Sequence, residues 1–252
     1  GSKNSKGRAI QNLINIEQDD RVKAFICTQD LKDEDYVNSN FVIMATKMGQ
    51  VKKTSLEQYS RPRSNGINAI SIRDNDELLE AKLTNGNSQI MLAVKSGKAI
   101  RFEESKTRPM GRNASGVRGI RLKDDSDEVV GMISVNDMDA NILVVSENGY
   151  GKRSSLEDYR LTNRGGKGVK TISITDKTGK LVTIKSVSDN DDLMIINKSG
   201  IAIRMQVEDL RVMGRATQGV KVISIKDGDN IAAVAKVMKD DDNIEDVNDI
   251  EV

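Results

Sequence analysis

The chain has 252 residues, 37% hydrophobic and 31% charged, with 39 basic residues nearly balanced by 38 acidic ones. No apolar run approaches the ~20 residues of a membrane-spanning helix, so a span of that kind is excluded. There is no histidine and a single cysteine, Cys27, which removes the commonest general base and metal ligand and leaves no internal disulfide. That argues against a hydrolase or metalloenzyme and fits a reducing cytoplasm. The opening Gly1-Ser2 reads as a cloning remnant and the chain as an excised piece.

From the N-terminus onward the chain repeats itself. SKGRAIQNLINI, around Gly7, is followed by an acidic insertion near Asp30 to Asn40. Four hairpin-like segments come next: IMATKMGQVKKTSLEQY, MLAVKSGKAIRFEESK, LVVSENGYGKRSSLEDY and MIINKSGIAIRMQVEDL. Their turn glycines, Gly49, Gly97, Gly149 and Gly200, are 48, 52 and 51 residues apart. A second glycine series, Gly66, Gly116, Gly168 and Gly219, follows at spacings of 50, 52 and 51. Each period predicts four strands, illustrated by Ile70 to Ile72, Asp76 to Thr84, Ile90 to Val94 and Ala99 to Phe102. Helical spacing is confined to short pieces such as Ser55 to Tyr59 and Ser155 to Tyr159.

Four strands per ~50-residue period describe the blade of a propeller. A lone blade cannot bury both faces, whereas stacked blades can. The expected fold is all-β, a propeller-like partial ring of about four and a half blades spanning 1–238. The half unit from Val220 to about Val237 lacks its own hairpin, so an unpaired sheet edge is expected at the ends. A barrel or solenoid that caps itself is the alternative. Residues 239–252 carry seven acids against one base and form an acidic tail, expected to be disordered. The remaining 1–238 then hold 38 basic and 31 acidic residues, a net +7. The tail reads either as a solubility device or as a competitor for a polyanion on the basic body.

Basic residues recur in step with the repeat. Four residues after each hairpin glycine stand Lys53, Arg101, Arg153 and Arg204, with Lys52 and Lys152 beside two of them and Lys98 next to Gly97. Ahead of the second glycine come Arg61, Arg63, Arg108, Arg112, Arg164, Arg211 and Arg215; two residues after it come Arg118, Lys170 and Lys221. One cation per blade at one position draws a stripe along a rim, a template for a bent duplex gripped by its phosphates. Aromatics are only 3%, too few for the stacking platforms of a single-strand binder. Edge protection of exposed strands is the competing reading of any one such cation. A protein-docking propeller is the rival for the whole, and predicts an exposed apolar patch.

NRGGKG, Asn163 to Gly168, is basic and glycine-rich, so its amides and Lys167 can approach phosphate closely. It is neither a Walker loop nor a dinucleotide fingerprint. Asp189, Asp191 and Asp192 read as a solvated turn, the strand methionines as core filler, and Cys27 as a small buried hydrophobe.

Together, VKKT at Val51 to Thr54, MGRNASGVRGIRL at Met110 to Leu122, ENGYGKR at Glu147 to Arg153 and IEQDDR at Ile16 to Arg21 closely resemble the C-terminal domain of DNA gyrase A. The resemblance covers about residues 5–238. It implies a β-pinwheel whose blades exchange strands and which wraps double-stranded DNA on a basic rim, supporting negative supercoiling in the bacterial cytoplasm. Implied partners are the rest of gyrase A and the gyrase B protein. The ATPase site and the cleavage tyrosine belong to those parts, so this domain is non-catalytic and implies no cofactor of its own. The family's heptapeptide QRRGGKG belongs to a first blade that would precede Gly1; NRGGKG occupies a later blade. Binding with modest bending is therefore expected of this chain. The corresponding domain of topoisomerase IV is similar but more degenerate.

Overall fold

A computed structural model describes residues 20–63, 65–226 and 228–238. The copy around Gly7 and the tail 239–252 lie outside the described residues. Each of four sheets is built on one hairpin. β1 (Phe41–Thr46) and β2 (Gln50–Ser55) form the first, with β3 (Leu78–Thr84) returning along β1. β4 (Gln89–Val94) and β5 (Lys98–Glu103) form the second. β6 (Val117–Arg118) runs back to β2, and β7 (Val129–Val135) lies along β4. β8 (Asn141–Ser146) and β9 (Tyr150–Ser155) form the third hairpin. β10 (Leu161–Thr162) and β11 (Val169–Lys170) both pair with β5, while β12 (Leu181–Val187) lies along β8. β13 (Asp191–Asn197) and β14 (Ala202–Gln206) form the fourth; β15 (Val220–Lys221) joins β9 and β16 (Ile231–Met238) joins β13.

The topology is one rule applied repeatedly. The long strand after a hairpin stays in its own sheet. The short strand after the next hairpin is donated backward to the outer side. Strands β3, β7, β12 and β16 pack on one another and form the inner line; β6, β11 and β15 lie at the opposite, outer edge. The half unit is thereby accounted for: its two strands complete the third sheet from outside and the fourth from inside. Ile70 to Ile72, predicted as a strand, is irregular, as are the equivalent stretches 120–122, 172–174 and 223–225; the donated strands lie just after the second glycine, at Val117–Arg118, Val169–Lys170 and Val220–Lys221.

The hydrophobic core lies in the seams between sheets. Ile43, Ala45 and Val51 of the first sheet pack with Ile90, Leu92, Ile100 and Phe102 of the second. Met91, Ala93 and Ile133 on the second sheet's other face meet Ile142, Val144 and Ile184 of the third. Leu143, Val145 and Val187 meet Leu193, Ile195 and Val234. A strand buried on both faces needs apolar residues at every position, which explains the unbroken run IMLAV, Ile90 to Val94. Each such side chain contributes ~1.5–3 kcal/mol of burial.

The predicted helical pieces are 3-10 turns, Leu56–Tyr59 and Leu156–Asp158. The acidic insertion holds one helix, α1 (Glu34–Ser39), capped by the Asp33 carboxylate accepting from the Tyr36 amide at 3.1 Å. Cys27 is exposed rather than buried, since its segment runs outside the sheets. Asp189 stands in an exposed turn, as expected, while pairing with Arg153; Asp191 and Asp192 do not, since they are buried at the start of β13 and pair with Lys236 and Arg204.

Candidate nucleic-acid interface

Three classes of cation recur in the blades, and the fold separates them. The first is the series four residues past the hairpin glycine. Lys53 is 4% exposed, pairs with buried Glu104 at 3.2 Å and lies 4.4 Å from the Phe41 ring centre. Arg101 donates to the carbonyls of Leu156 and Tyr159 at 2.9 and 3.0 Å and to Gln89 at 2.6 Å. Burial lowers its pKa from the ordinary guanidinium value. Arg153 is buried, donates to the Leu210 carbonyl at 2.5 Å and pairs with Asp189. In all three the charged end of one blade is fixed to the 3-10 or turn segment of the next. These cations are inter-blade clasps: their charged ends are taken up by the following blade instead of standing free for phosphate, as the sequence led one to expect. Among the described residues Arg204 meets no following blade; its side chain is 45% exposed and tied to Asp192 at 2.7 Å.

The second class is the pair beside them. Lys52 and Lys152 are buried, with ammonium groups donating to backbone carbonyls: Ala69 at 2.5 Å and Arg112 for Lys52, Gly214 at 2.5 Å for Lys152. Burial pushes both down to about 8; the charge of Arg112 adds to this for Lys52, while for Lys152 Asp158 opposes and Arg215 adds. They anchor the loops that carry the next unit's arginines.

The third class occupies the outer edge. Arg118, Lys170 and Lys221 sit at the ends of β6, β11 and β15, the outermost strands, and all three are exposed. Each stands two residues past its glycine. The glycine itself is there because the backbone must take a positive φ and approach the hairpin: a Cβ at Gly116 or Gly219 would meet the carbonyl of Val51 or Gly151 at 2.6 or 2.5 Å. Four residues before the glycine, Arg112, Arg164 and Arg215 donate to the carbonyls of Asn68, Arg118 and Lys170 at 3.2, 3.0 and 2.9 Å. They stitch adjacent outer segments and stay half-exposed. Eight residues before it, Arg108 and Arg211 are exposed where the chain turns onto the outer edge beside Lys53 and Arg153. Arg160 fills the same place beside Arg101 and was missed by sequence reasoning, although the offset of eight gave the signal. Arg121, also missed, is exposed and its amide donates to the Gly166 carbonyl at 2.8 Å.

The outer edges of three successive sheets therefore carry the same three-cation pattern. The first unit departs from it: its outer segment bears Arg61 and Arg63, both exposed, on a loop that pairs with no hairpin among the described residues. Lys98, half-exposed, lies directly across from Lys170. NRGGKG lies over β5, where Arg160, Asn163, Gly166 and Lys167 line a small cleft with Arg101 and Thr162. Lys167 is exposed there, while Arg164 is held by the Lys106 and Arg118 carbonyls.

A four-sheet, strand-exchanging, propeller-like array with a basic outer edge defines the class. The family described as DNA gyrase C-terminal domain, beta-propeller, matches residues 40–85, 89–136, 140–188 and 191–238, one segment per blade. The chain belongs to that family. It is 43% identical over 243 residues to the DNA gyrase A protein of Staphylococcus epidermidis and 45% identical over 243 residues to that of Staphylococcus aureus strain MRSA252. Each match covers 96% of this chain and 27% of the relative, so the chain spans about a quarter of their length. Among solved structures, the C-terminal domain of DNA topoisomerase IV superposes with a TM-score of 0.84 at 24% identity, covering 92% of this chain and 71% of that one. A DNA gyrase A C-terminal domain gives 0.80 at 24% identity, covering 93% and 76%. These two likenesses establish the fold.

Proposed function

We propose that this chain binds duplex DNA through its outer edge, without reading bases, and bends the duplex along the curve of the blades. It does so as a non-catalytic part of gyrase A, serving the topoisomerase formed with the rest of gyrase A and with gyrase B. The observation that carries the reading is the recurrence, on three neighbouring outer strands, of cations at the same three offsets: Arg108, Arg160 and Arg211; Arg112, Arg164 and Arg215; Arg118, Lys170 and Lys221. A regular step of positive charge along a curved edge suits the repeating phosphates of a bent duplex and needs no base contact. Lys98, Lys167, Arg61 and Arg63 extend the positive field around this band. Lys53, Arg101 and Arg153 support it from beneath by holding blade to blade.

If ~6–8 phosphates are engaged, log affinity falls against log salt with a slope of about −5 to −7. Anisotropy titrations of two unrelated duplexes over a range of salt measure this directly. Equal affinities and a steep slope support the proposal. A shallow slope would favour the docking of a protein partner instead.

A further inference from the structure

Besides its cations, the outer edge carries an apolar residue at one fixed place in each of three blades. The outer segments read Arg108-Pro109-Met110-Gly111-Arg112, Arg160-Leu161-Thr162-Asn163-Arg164 and Arg211-Val212-Met213-Gly214-Arg215. Pro109, Leu161 and Val212 lie opposite Lys53, Arg101 and Arg153 in three equivalent parallel pairings. All three are exposed, Leu161 at 45% and Val212 at 54%.

The core does not call for them. Thr107, Tyr159 and Leu210, two residues earlier, are buried and make the inward contact of each segment. Nor do they ride on a loose loop. The Met110 and Met213 amides donate to the Lys53 and Arg153 carbonyls at 2.7 and 2.8 Å, and Leu161 and Thr162 pair with Arg101 and Phe102. Single exposed apolar side chains are ordinary on a protein surface. Three at one register, each set between two arginines, form a feature of the edge, and an apolar residue on an outer strand is a liability unless something covers it.

A duplex backbone offers two kinds of surface, charged phosphates and the apolar faces of the sugars between them. We propose, on the reading that this edge binds duplex DNA, that Pro109, Leu161 and Val212 rest on deoxyribose in the wall of the minor groove and make the edge select DNA over double-stranded RNA. On the inside of a bend the minor groove turns toward the protein once per helical turn. The flanking arginines hold the phosphates and fix the register. They cannot tell the two duplexes apart, because both carry the same phosphate charge. The sugars can: the minor groove of an RNA duplex displays 2′-hydroxyls. An apolar side chain pressed on such a hydroxyl removes its water and returns no hydrogen bond, which lowers affinity by roughly tenfold per group.

Anisotropy titrations of the full chain against a DNA duplex and an RNA duplex of the same sequence, over a range of salt, test this. The parent should prefer the DNA by at least ~10-fold. With Pro109, Leu161 and Val212 all changed to Ser, most of that preference should be lost, while the slope of log affinity against log salt on DNA stays as in the parent, because no ion contact is removed. Leu161→Met together with Val212→Ile keeps the strip apolar and should preserve the preference. Urea midpoints should be alike in all three proteins, the changed side chains being exposed. Should the triple Ser variant unfold earlier, Val212→Ser alone should still lower the preference several-fold. A parent that binds both duplexes equally, Ser variants with an unchanged preference, or a Ser variant whose salt slope falls would overturn the proposal and leave DNA binding by the edge standing. A parent with a shallow slope on both duplexes would overturn the outer-edge reading, and this proposal with it.

Discussion

Lys53 and Arg118 stand on neighbouring strands of one sheet, and both recur once per blade. Lys53 is sealed against Glu104 of the next blade, while Arg118 faces solvent at the outermost strand. The same charge at the same period therefore serves two purposes. What separates them is the partner. The seam cation meets a carboxylate or carbonyls supplied by the following unit; the edge cation leaves its charged end in water. Regular recurrence of a cation marks a structural requirement of stacked blades as readily as a binding one.

The sharpest way to break this contrast is to remove the carboxylate. Glu104 accepts from Thr84 at 2.7 Å and from the Ser88 amide at 3.2 Å as well as from Lys53. Glu104→Ala strands a buried ammonium, and urea unfolding should show a loss of about 3–5 kcal/mol. Arg118→Ala, on the surface, should stay within ~0.5 kcal/mol of the parent. Equal effects would erase the distinction between seam and edge.

A second contrast sits in the glycines. Gly66 and Gly168 both have positive φ, 80 and 69°, but only Gly168 is pressed onto a hairpin carbonyl, that of Ala99. Gly66→Ala should cost about 1–2 kcal/mol from backbone conformation alone. Gly168→Ala should cost more, since β11 must also move off β5, and paired thermal melts rank the two.

The period was plain in the sequence because every blade spends a glycine at the same two turns. Ile90 to Val94 and Ala99 to Phe102 were predicted within a residue of β4 and β5. Sheet membership was hidden, since Val117–Arg118 belongs with a hairpin more than 60 residues before it, and no local pattern carries that pairing. The clasping role of Lys53, Arg101 and Arg153 was hidden for the same reason: their partners lie one unit further on. Arg160 was visible by its offset. The ion pairing of the aspartates at 189, 191 and 192 was not, because acidic turns and ion-pair partners have the same composition.

A smaller effect follows from the anchors beneath the edge. Lys52 and Lys152 are pushed down to about 8 by burial, from an ordinary 10.5. Between those values the unfolded chain binds more protons than the folded one, so stability rises as pH increases from about 8 toward 10.5. Urea midpoints across that window measure the rise. Lys52→Met should reduce the rise and leave the share of Lys152, and a falling midpoint in the parent would reverse the assignment.

The outer edge itself is tested most directly by salt dependence. Arg118, Lys170 and Lys221 changed together to Ala should leave the urea midpoint nearly unmoved while the slope of log affinity against log salt for a duplex shrinks by ~3, one ion equivalent per lost phosphate contact. An unchanged slope in that triple variant, with DNA still bound as before, would contradict the assignment of DNA to the outer edge.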